Sequence, residues 1–295
     1  CMSLEWLALV SAFLWACASL LSVTPARHLG TFAFSRWRMA CVSLMLGLMS
    51  LISGGFHTLS LSQIGMMATS GLIGIFVGDT CLYACMNRVG PRRASLLFAT
   101  HAAFSALFGI WLFKEHLSLQ GWAGAVLVLA GVMVAVAFSG NKPQKLEYSH
   151  GALWLSLALG LMAALCQSLG TIIAKPVMSA GADPIAASCV RMLVAFGAHS
   201  GLRLAQVPFS RAVSPITWRV LGIICLNGLL AMVLGMTIFL FALRHGNVTL
   251  VAIMSSTSPV MLLPILWFFT RQRPSLGAWL GAILVVCGTA LVLAR

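Results

Sequence analysis

The stretch LQGWAGAVLVLAGVMVAVAF, residues 119–138, is twenty residues long and carries no charge. As an α-helix with a rise of 1.5 Å per residue, a stretch of this length crosses the hydrocarbon core of a bilayer, which is about 30 Å thick. A second stretch of the same kind, residues 275–294, lies at the end of the chain. These two stretches indicate that the chain spans a membrane as helices.

The composition of the whole chain agrees with lipid as its main solvent. Hydrophobic residues make up 60% of the 295 residues and charged residues only 8%, whereas a soluble domain carries about 25% charged residues. The net charge of +13 does not indicate a nucleic-acid partner, because the lysines and arginines lie singly or in pairs between apolar runs. That distribution is typical of membrane proteins, where basic loops fix the orientation.

Apolar runs of spanning length recur along the chain. We predict an all-α membrane protein with ten transmembrane helices, whose cores are residues 4–22, 31–53, 63–86, 92–113, 119–138, 151–173, 184–204, 216–243, 248–270 and 275–294. The polar linker 140–150 separates a first five-helix unit, 1–139, from a second, 151–295. Helix starts are indicated by Asp183-Pro184 and Ser214-Pro215, each a capping residue followed by proline.

The two halves resemble each other. A shift of 157 positions places Thr100 on Thr257 and Trp122 on Trp279, and a shift of 153 positions places Arg38 on Arg191. Because each half has an odd number of predicted spans, the halves enter the membrane from opposite faces. We therefore expect two inverted five-helix repeats related by a pseudo-two-fold axis in the membrane plane, an arrangement found in many secondary transporters.

The sequence resembles the drug/metabolite transporter superfamily in its ten-helix EamA form, over essentially its whole length. The resemblance rests on Trp15, on Arg38 with its repeat Arg191, on the stretch 90–101 (GPRRASLLFATH), and on Glu115. The proline that is usual in the fourth span is Ala102 here, while the second half keeps Pro259. The glutamate of the first half is matched by Gln272 in the second. The resemblance implies a transporter of small molecules.

The distribution of basic residues predicts an orientation. If the N-terminal side of the membrane is called face A and the other face B, face B receives Arg27, Arg88, Arg92, Arg93, Lys142, Lys145, Arg203, Arg211, Arg219, Arg271 and Arg273. Face A receives only Lys114, Lys175, Arg244 and Arg295. By the positive-inside rule face B is cytoplasmic, so both termini are predicted to be non-cytoplasmic. We expect a multi-pass protein of the plasma (inner) membrane.

Asp79 is the one acidic residue predicted to lie well inside a span, and such a residue normally faces a cavity or a partner. Counted from face B at 1.5 Å per residue, Asp79, Arg38 and Trp15 are each about 10 Å deep and His101 is about 13 Å deep. Tyr83 lies one turn from Asp79. This layer is either a substrate or proton-coupling site, or a structural Asp79–Arg38 ion pair.

The second half does not repeat these charges, because Asp79 aligns with Met236 and His101 with Ser258. Arg191 therefore lacks an acid at the matching position. It either pairs with an anion, such as a substrate carboxylate, or with a helix C-terminus, or it extends its guanidinium to the lipid headgroups. Further cavity candidates are Gln167, Asn227, Thr237 and Ser258.

These observations predict a secondary transporter that moves a small metabolite by alternating access. We expect an amino acid or a related amphiphile as substrate, export as the direction, and a proton as the coupling ion. The alternative is a non-transporting membrane receptor or scaffold. Catalysis is not expected, because a membrane enzyme would need several acids or histidines near one face, and no cofactor or metal site is indicated. The pairs Gly74–Gly78 and Gly277–Gly281 permit close helix approach, within the fold or in a homodimer.

Overall fold

The computed structural model describes residues 4–138, 153–271 and 275–293. The predicted linker 140–150 and Gln272 lie outside the described residues. Within the described ranges the chain is all-helical and contains no strand. The predicted helical class is therefore confirmed for this part of the chain.

The α-helices, in chain order, have the following bounds: α1 Leu7–Leu29, α2 Thr31–Ser53, α3 Leu61–Gly71, α4 Gly78–Phe98, α5 His101–Phe113, α6 Leu119–Ala137, α7 Leu153–Ser179, α8 Pro184–Leu204, α9 Trp218–Gly228, α10 Thr237–His245, α11 Val248–Ser255, α12 Ser258–Thr270 and α13 Leu276–Leu293. Among the neighbouring pairs, α2 packs along α8, α4 along α7, and α6 along α13.

Seven helical stretches within the described residues are long and apolar enough to cross a membrane: Leu4–Leu29, Leu61–Arg88, Leu119–Ala137, Trp154–Ser179, Pro184–Leu204, Trp218–His245 and Val248–Ile265. Shorter apolar helices are His101–Phe113 and Leu276–Val292. Helix α2 has 23 residues, but Arg36 and Arg38 lie in its first half. The chain is thus a multi-pass membrane protein, while the count of ten spans stays a prediction.

The two start signals read from the sequence have different outcomes. The Asp183 carboxylate accepts a hydrogen bond from the Ala186 N–H at 2.9 Å and caps α8, which begins at Pro184 as predicted. The prediction from Ser214-Pro215 was wrong by a few residues, because α9 begins at Trp218. Its cap is Thr217, whose hydroxyl accepts from the Val220 N–H.

Two π-helical segments interrupt the longest helical stretches. Residues Leu72–Val77 join α3 to α4, and residues Leu229–Met236 join α9 to α10. The two segments begin 157 positions apart, the shift that aligns the halves of the sequence. A π-segment widens the helix and leaves main-chain groups out of regular register, and such segments often lie at functional sites.

Two helix breaks also occupy aligned positions, Ala99–Thr100 between α4 and α5 and Ser256–Thr257 between α11 and α12. We predicted that the helix is interrupted between the third and fourth spans, at residues 87–91, and this prediction was wrong. The helix α4 continues through these residues, because charged residues end an apolar span without ending a helix. The first break forms although it lacks a proline like Pro259. In both, the threonine hydroxyl donates to the carbonyl three residues earlier, at 2.6 Å for Thr100 and 2.7 Å for Thr257.

Glycines allow several helices to approach at main-chain distance. A Cβ built on Gly124 would lie 2.7 Å from the Gly288 carbonyl oxygen, and one on Gly131 would lie 2.7 Å from that of Gly281. Gly74 faces Gly170 of α7, because a Cβ built on Gly74 would lie 3.0 Å from the Gly170 Cα. These glycines are used within the chain, and the homodimer stays a prediction.

Candidate functional site

A partly open cavity of ≈360 Å³ lies between α1, α2, α4, α7, the second π-segment and the break before α12. It is lined by eight of the ten residues predicted as site candidates: Trp15, Arg38, Asp79, Tyr83, His101, Gln167, Asn227 and Ser258. The structure therefore brings polar side chains from both halves of the sequence to one cavity. Their function stays a prediction.

An ion pair forms one wall of this cavity. The Arg38 Nη2 atom lies 3.4 Å from Asp79 Oδ2 and donates a hydrogen bond to Tyr83 Oη at 3.0 Å. The guanidinium also lies over the Phe34 ring, 5.2 Å from its centroid. The Arg38 side chain is 10% exposed and that of Asp79 is 20% exposed. Because Asp79 is the more accessible partner, its carboxylate can meet a second cation from the cavity.

The indole of Trp15 is fixed by the second π-segment. Its Nε1 donates a hydrogen bond to the Ala231 carbonyl at 2.7 Å, and its ring lies 5.6 Å from that of Phe239. A carbonyl left out of regular helical register by the π-segment is a suitable acceptor. Asn227 ties the same region to α1 by donating to the Ala18 carbonyl at 2.6 Å.

His101 begins α5 directly after the first helix break and is buried against Phe98, with ring centroids 5.2 Å apart. Gln167 of α7 and Ser258 of α12 also line the cavity. His101 and Ser258 each begin the helix that follows a break, at aligned positions of the two halves. The break therefore presents the first residue of the next helix to the cavity.

Two predicted candidates do not line the cavity. Thr237 follows the second π-segment, and its hydroxyl is buried without a hydrogen-bond partner among the described residues. Arg191 is completely buried, and its Nη1 lies 3.3 Å from the Sδ atom of Met236. The alternative that the Arg191 guanidinium extends to the headgroups is wrong, because a snorkelling side chain would be exposed.

A family model decides which proteins this chain is related to. The model of the EamA-like transporter family matches residues 2–137 and again residues 154–294. The chain belongs to the EamA-like transporter family. Membership confirms the resemblance seen in the sequence.

Two further similarities agree with this family. A Synechocystis sp. protein named "Uncharacterized transporter sll0355" is 24% identical over 216 residues, covering 70% of this chain and 64% of the relative. The match thus spans less than two thirds of the relative's length. A solved crystal structure shares the fold with a TM-score of 0.78, at 16% identity over 97% of this chain and 95% of the other.

Among the cavity-lining residues that the sequence-based prediction missed are Ser255, Ser256 and Met236. Both serines donate to carbonyls three residues earlier, at 2.9 and 2.7 Å, near the end of α11. The signal available in the sequence was the run of four hydroxyl residues before Pro259. Met236 gave no signal, because a methionine in an apolar helix is ordinarily a packing residue.

Charged side chains hold the turn between α10 and α11, away from the cavity. The carboxylate of Glu115 accepts hydrogen bonds from the first two N–H groups of α11, at 2.6 and 3.0 Å. Glu5 accepts from the Asn247 N–H at 2.9 Å, and Lys175 donates to two main-chain carbonyls near the end of α10, at 2.6 and 2.7 Å. The family glutamate Glu115 thus acts as a helix cap here.

Proposed function

We propose that this EamA-family protein is a secondary transporter that exports a small metabolite, an amino acid or a related amphiphile, by alternating access. One observation carries the proposal. An apolar helical body contains a partly open cavity, in which an ion pair, Arg38–Asp79, lies beside aromatic and hydroxyl side chains. Ionisable groups inside a membrane are costly and normally serve a transport pathway or a binding site.

The lining of the cavity favours a substrate with both charged and apolar parts. The partly exposed Asp79 carboxylate can receive an ammonium group, and the rings of Trp15 and Phe98 offer apolar surface beside it. Leu82, Met86 and Leu262 extend that apolar surface. A volume of ≈360 Å³ is at the lower end of small-molecule sites. A free amino acid fits these features better than a peptide.

We propose further that units 1–139 and 151–295 are inverted repeats of five spans each. Reciprocal packing of α6 and α13 supports this, because Gly124 meets Gly288 while Gly131 meets Gly281. In the alignment of the two halves, Gly124 matches Gly281 and Gly131 matches Gly288. Exchanging the halves therefore turns each contact into the other, which is what a pseudo-two-fold axis produces. In such transporters the two repeats rock against each other around a central site.

The orientation is also a proposal, with face B cytoplasmic and both termini non-cytoplasmic in a plasma (inner) membrane. A reporter fused after Arg295 that is active only outside the cytoplasm tests it. We expect activity, because the basic residues concentrate on face B. A fusion within the loop 205–215, on face B, is the matched control and is expected to be inactive. The reverse pattern of the two fusions contradicts the orientation.

Proteoliposomes containing the purified protein test transport itself. With a mixture of radiolabelled amino acids inside, we expect efflux above that of protein-free liposomes. We also expect one direction of the pH gradient, with the outside either more acidic or more alkaline than the inside, to make efflux faster. Dependence on the pH gradient supports a proton as coupling ion, through Asp79 or His101. Ligand-induced stabilisation without any flux would favour the receptor alternative.

A further inference from the structure

Among the described residues, Arg191 of α8 is the largest side chain that is fully buried. Its Nη1 contacts the thioether of Met236 at 3.3 Å, while its Nε and Nη2 atoms have no hydrogen-bond partner among the described residues. A thioether sulfur is only a weak acceptor and carries no charge. The guanidinium is therefore buried within the described part of the chain without a compensating anion.

The corresponding arginine of the first half shows what is missing. Arg38 has a carboxylate partner in Asp79 and a hydroxyl partner in Tyr83. Arg191 aligns with Arg38, and Met236 aligns with Asp79. The two arginines thus make the same inter-helix contact, at 3.4 Å to a carboxylate in one half and at 3.3 Å to a thioether in the other.

A buried charge without a partner is strongly unfavourable, and in proteins it is normally paired or hydrogen-bonded. Burial of an arginine cannot be relieved by losing its proton, because guanidinium stays protonated in proteins. Among the described residues no carboxylate contacts Arg191, so an anion from outside this part of the chain would balance the charge.

Met236 provides the route by which an anion could arrive. Its side chain both contacts Arg191 and lines the cavity, so it forms the boundary between the guanidinium and the substrate space. Methionine is unbranched and has three rotatable side-chain bonds, so it changes position easily. On the other side of the guanidinium, Gly74 packs against it, because a Cβ built on Gly74 would lie 3.5 Å from Arg191 Nη2. Access to the guanidinium is thus from the cavity side.

We propose that Arg191 is an anion subsite in the floor of the cavity, covered by Met236 in the present conformation. It takes one small monovalent anion, either an inorganic ion or the carboxylate of the substrate. Binding of a substrate carboxylate rests on the proposed transport function, whereas an inorganic ion would bind without any transport. It makes the two arginines unequal: Arg38 is paired within the chain, and Arg191 is paired by a ligand.

Thermal unfolding of the purified protein in detergent tests the proposal without a transport assay. Sodium chloride and, separately, sodium acetate replace sodium gluconate at constant ionic strength. We expect the Tm to rise and saturate with at least one of the two small anions, because a ligand that binds only the folded state stabilises it. Saturation with chloride alone assigns an inorganic ion, and saturation with acetate alone assigns a carboxylate. Saturation with both assigns one subsite that takes either anion, and no rise with either overturns the subsite.

Variants at Met236 make the test specific. Met236→Glu places a carboxylate where Asp79 stands in the first half, so we expect a higher Tm than wild type in gluconate and an apparent anion affinity at least about tenfold weaker. Met236→Leu, the matched control, should keep the anion response, and Arg191→Met should lose it. If Arg191→Met does not fold, the two Met236 variants decide. An unchanged response in Met236→Glu overturns the proposal.

The result separates this subsite from the transport function. An anion response in a protein that shows no flux would keep the subsite and remove the transport proposal. Flux in a protein whose stability ignores both anions would keep transport and remove the subsite.

Discussion

Gly131→Val is expected to leave little folded protein after extraction into detergent. A Cβ at residue 131 would lie 2.7 Å from the Gly281 carbonyl oxygen and 2.8 Å from the Val285 nitrogen, and both are main-chain atoms of α13. Main-chain atoms cannot move aside without separating the helices, so the cost should reach about 3 kcal/mol, the upper end for overpacked sites. The measurement is the monodisperse fraction in size-exclusion chromatography, together with the Tm.

Gly197→Val and Gly222→Val are matched controls for this substitution. Both residues lie within helices, and a Cβ on either would meet nothing within 4 Å. The controls carry the same change in helix propensity and the same added side chain, so they should behave like wild type. A Gly131→Val protein as stable as the two controls would contradict the close packing of α6 and α13.

Asp79→Asn is expected to abolish transport and to lower stability. The substitution removes the negative charge that faces Arg38 at 3.4 Å, and the neutral amide that replaces it can accept a hydrogen bond but cannot balance the charge of the guanidinium. Removing one partner of a buried pair costs about 3–5 kcal/mol, and we expect the lower end because the Asp79 side chain is 20% exposed. Efflux from proteoliposomes and the Tm are measured on the same preparation.

Asp183→Asn serves as the matched control, because it also exchanges one carboxylate for an amide. Asp183 caps α8 at the surface of the bundle, and asparagine caps helices about as well as aspartate. We therefore expect near-normal flux and Tm. Normal flux in a destabilised Asp79→Asn protein would make the Arg38–Asp79 pair structural, which was the second interpretation of these residues. Normal values of both would remove the pair from the mechanism and from the stability of the fold.

Much of the candidate site could be found from residue types and depth alone. Asp79 and Arg38 are rare charges inside apolar runs, and counting 1.5 Å per residue placed them in one layer, which is where the structure pairs them. The same reasoning did not find Met236 or Ser255. Met236 looks like a packing residue in an apolar helix, and Ser255 was indicated only by the run of four hydroxyl residues before Pro259.

The sequence by itself determined that the solvent of this chain is lipid, that its helices recur in two similar halves, and that its charges do not. These properties depend on composition and spacing, which are written along the chain. Only the tertiary structure decided which sides of the helices meet, because helices that are apolar all round carry no periodicity that marks an inward face. Arg38 and Arg191 read alike in the sequence. The helices opposite them gave one a carboxylate and the other a thioether.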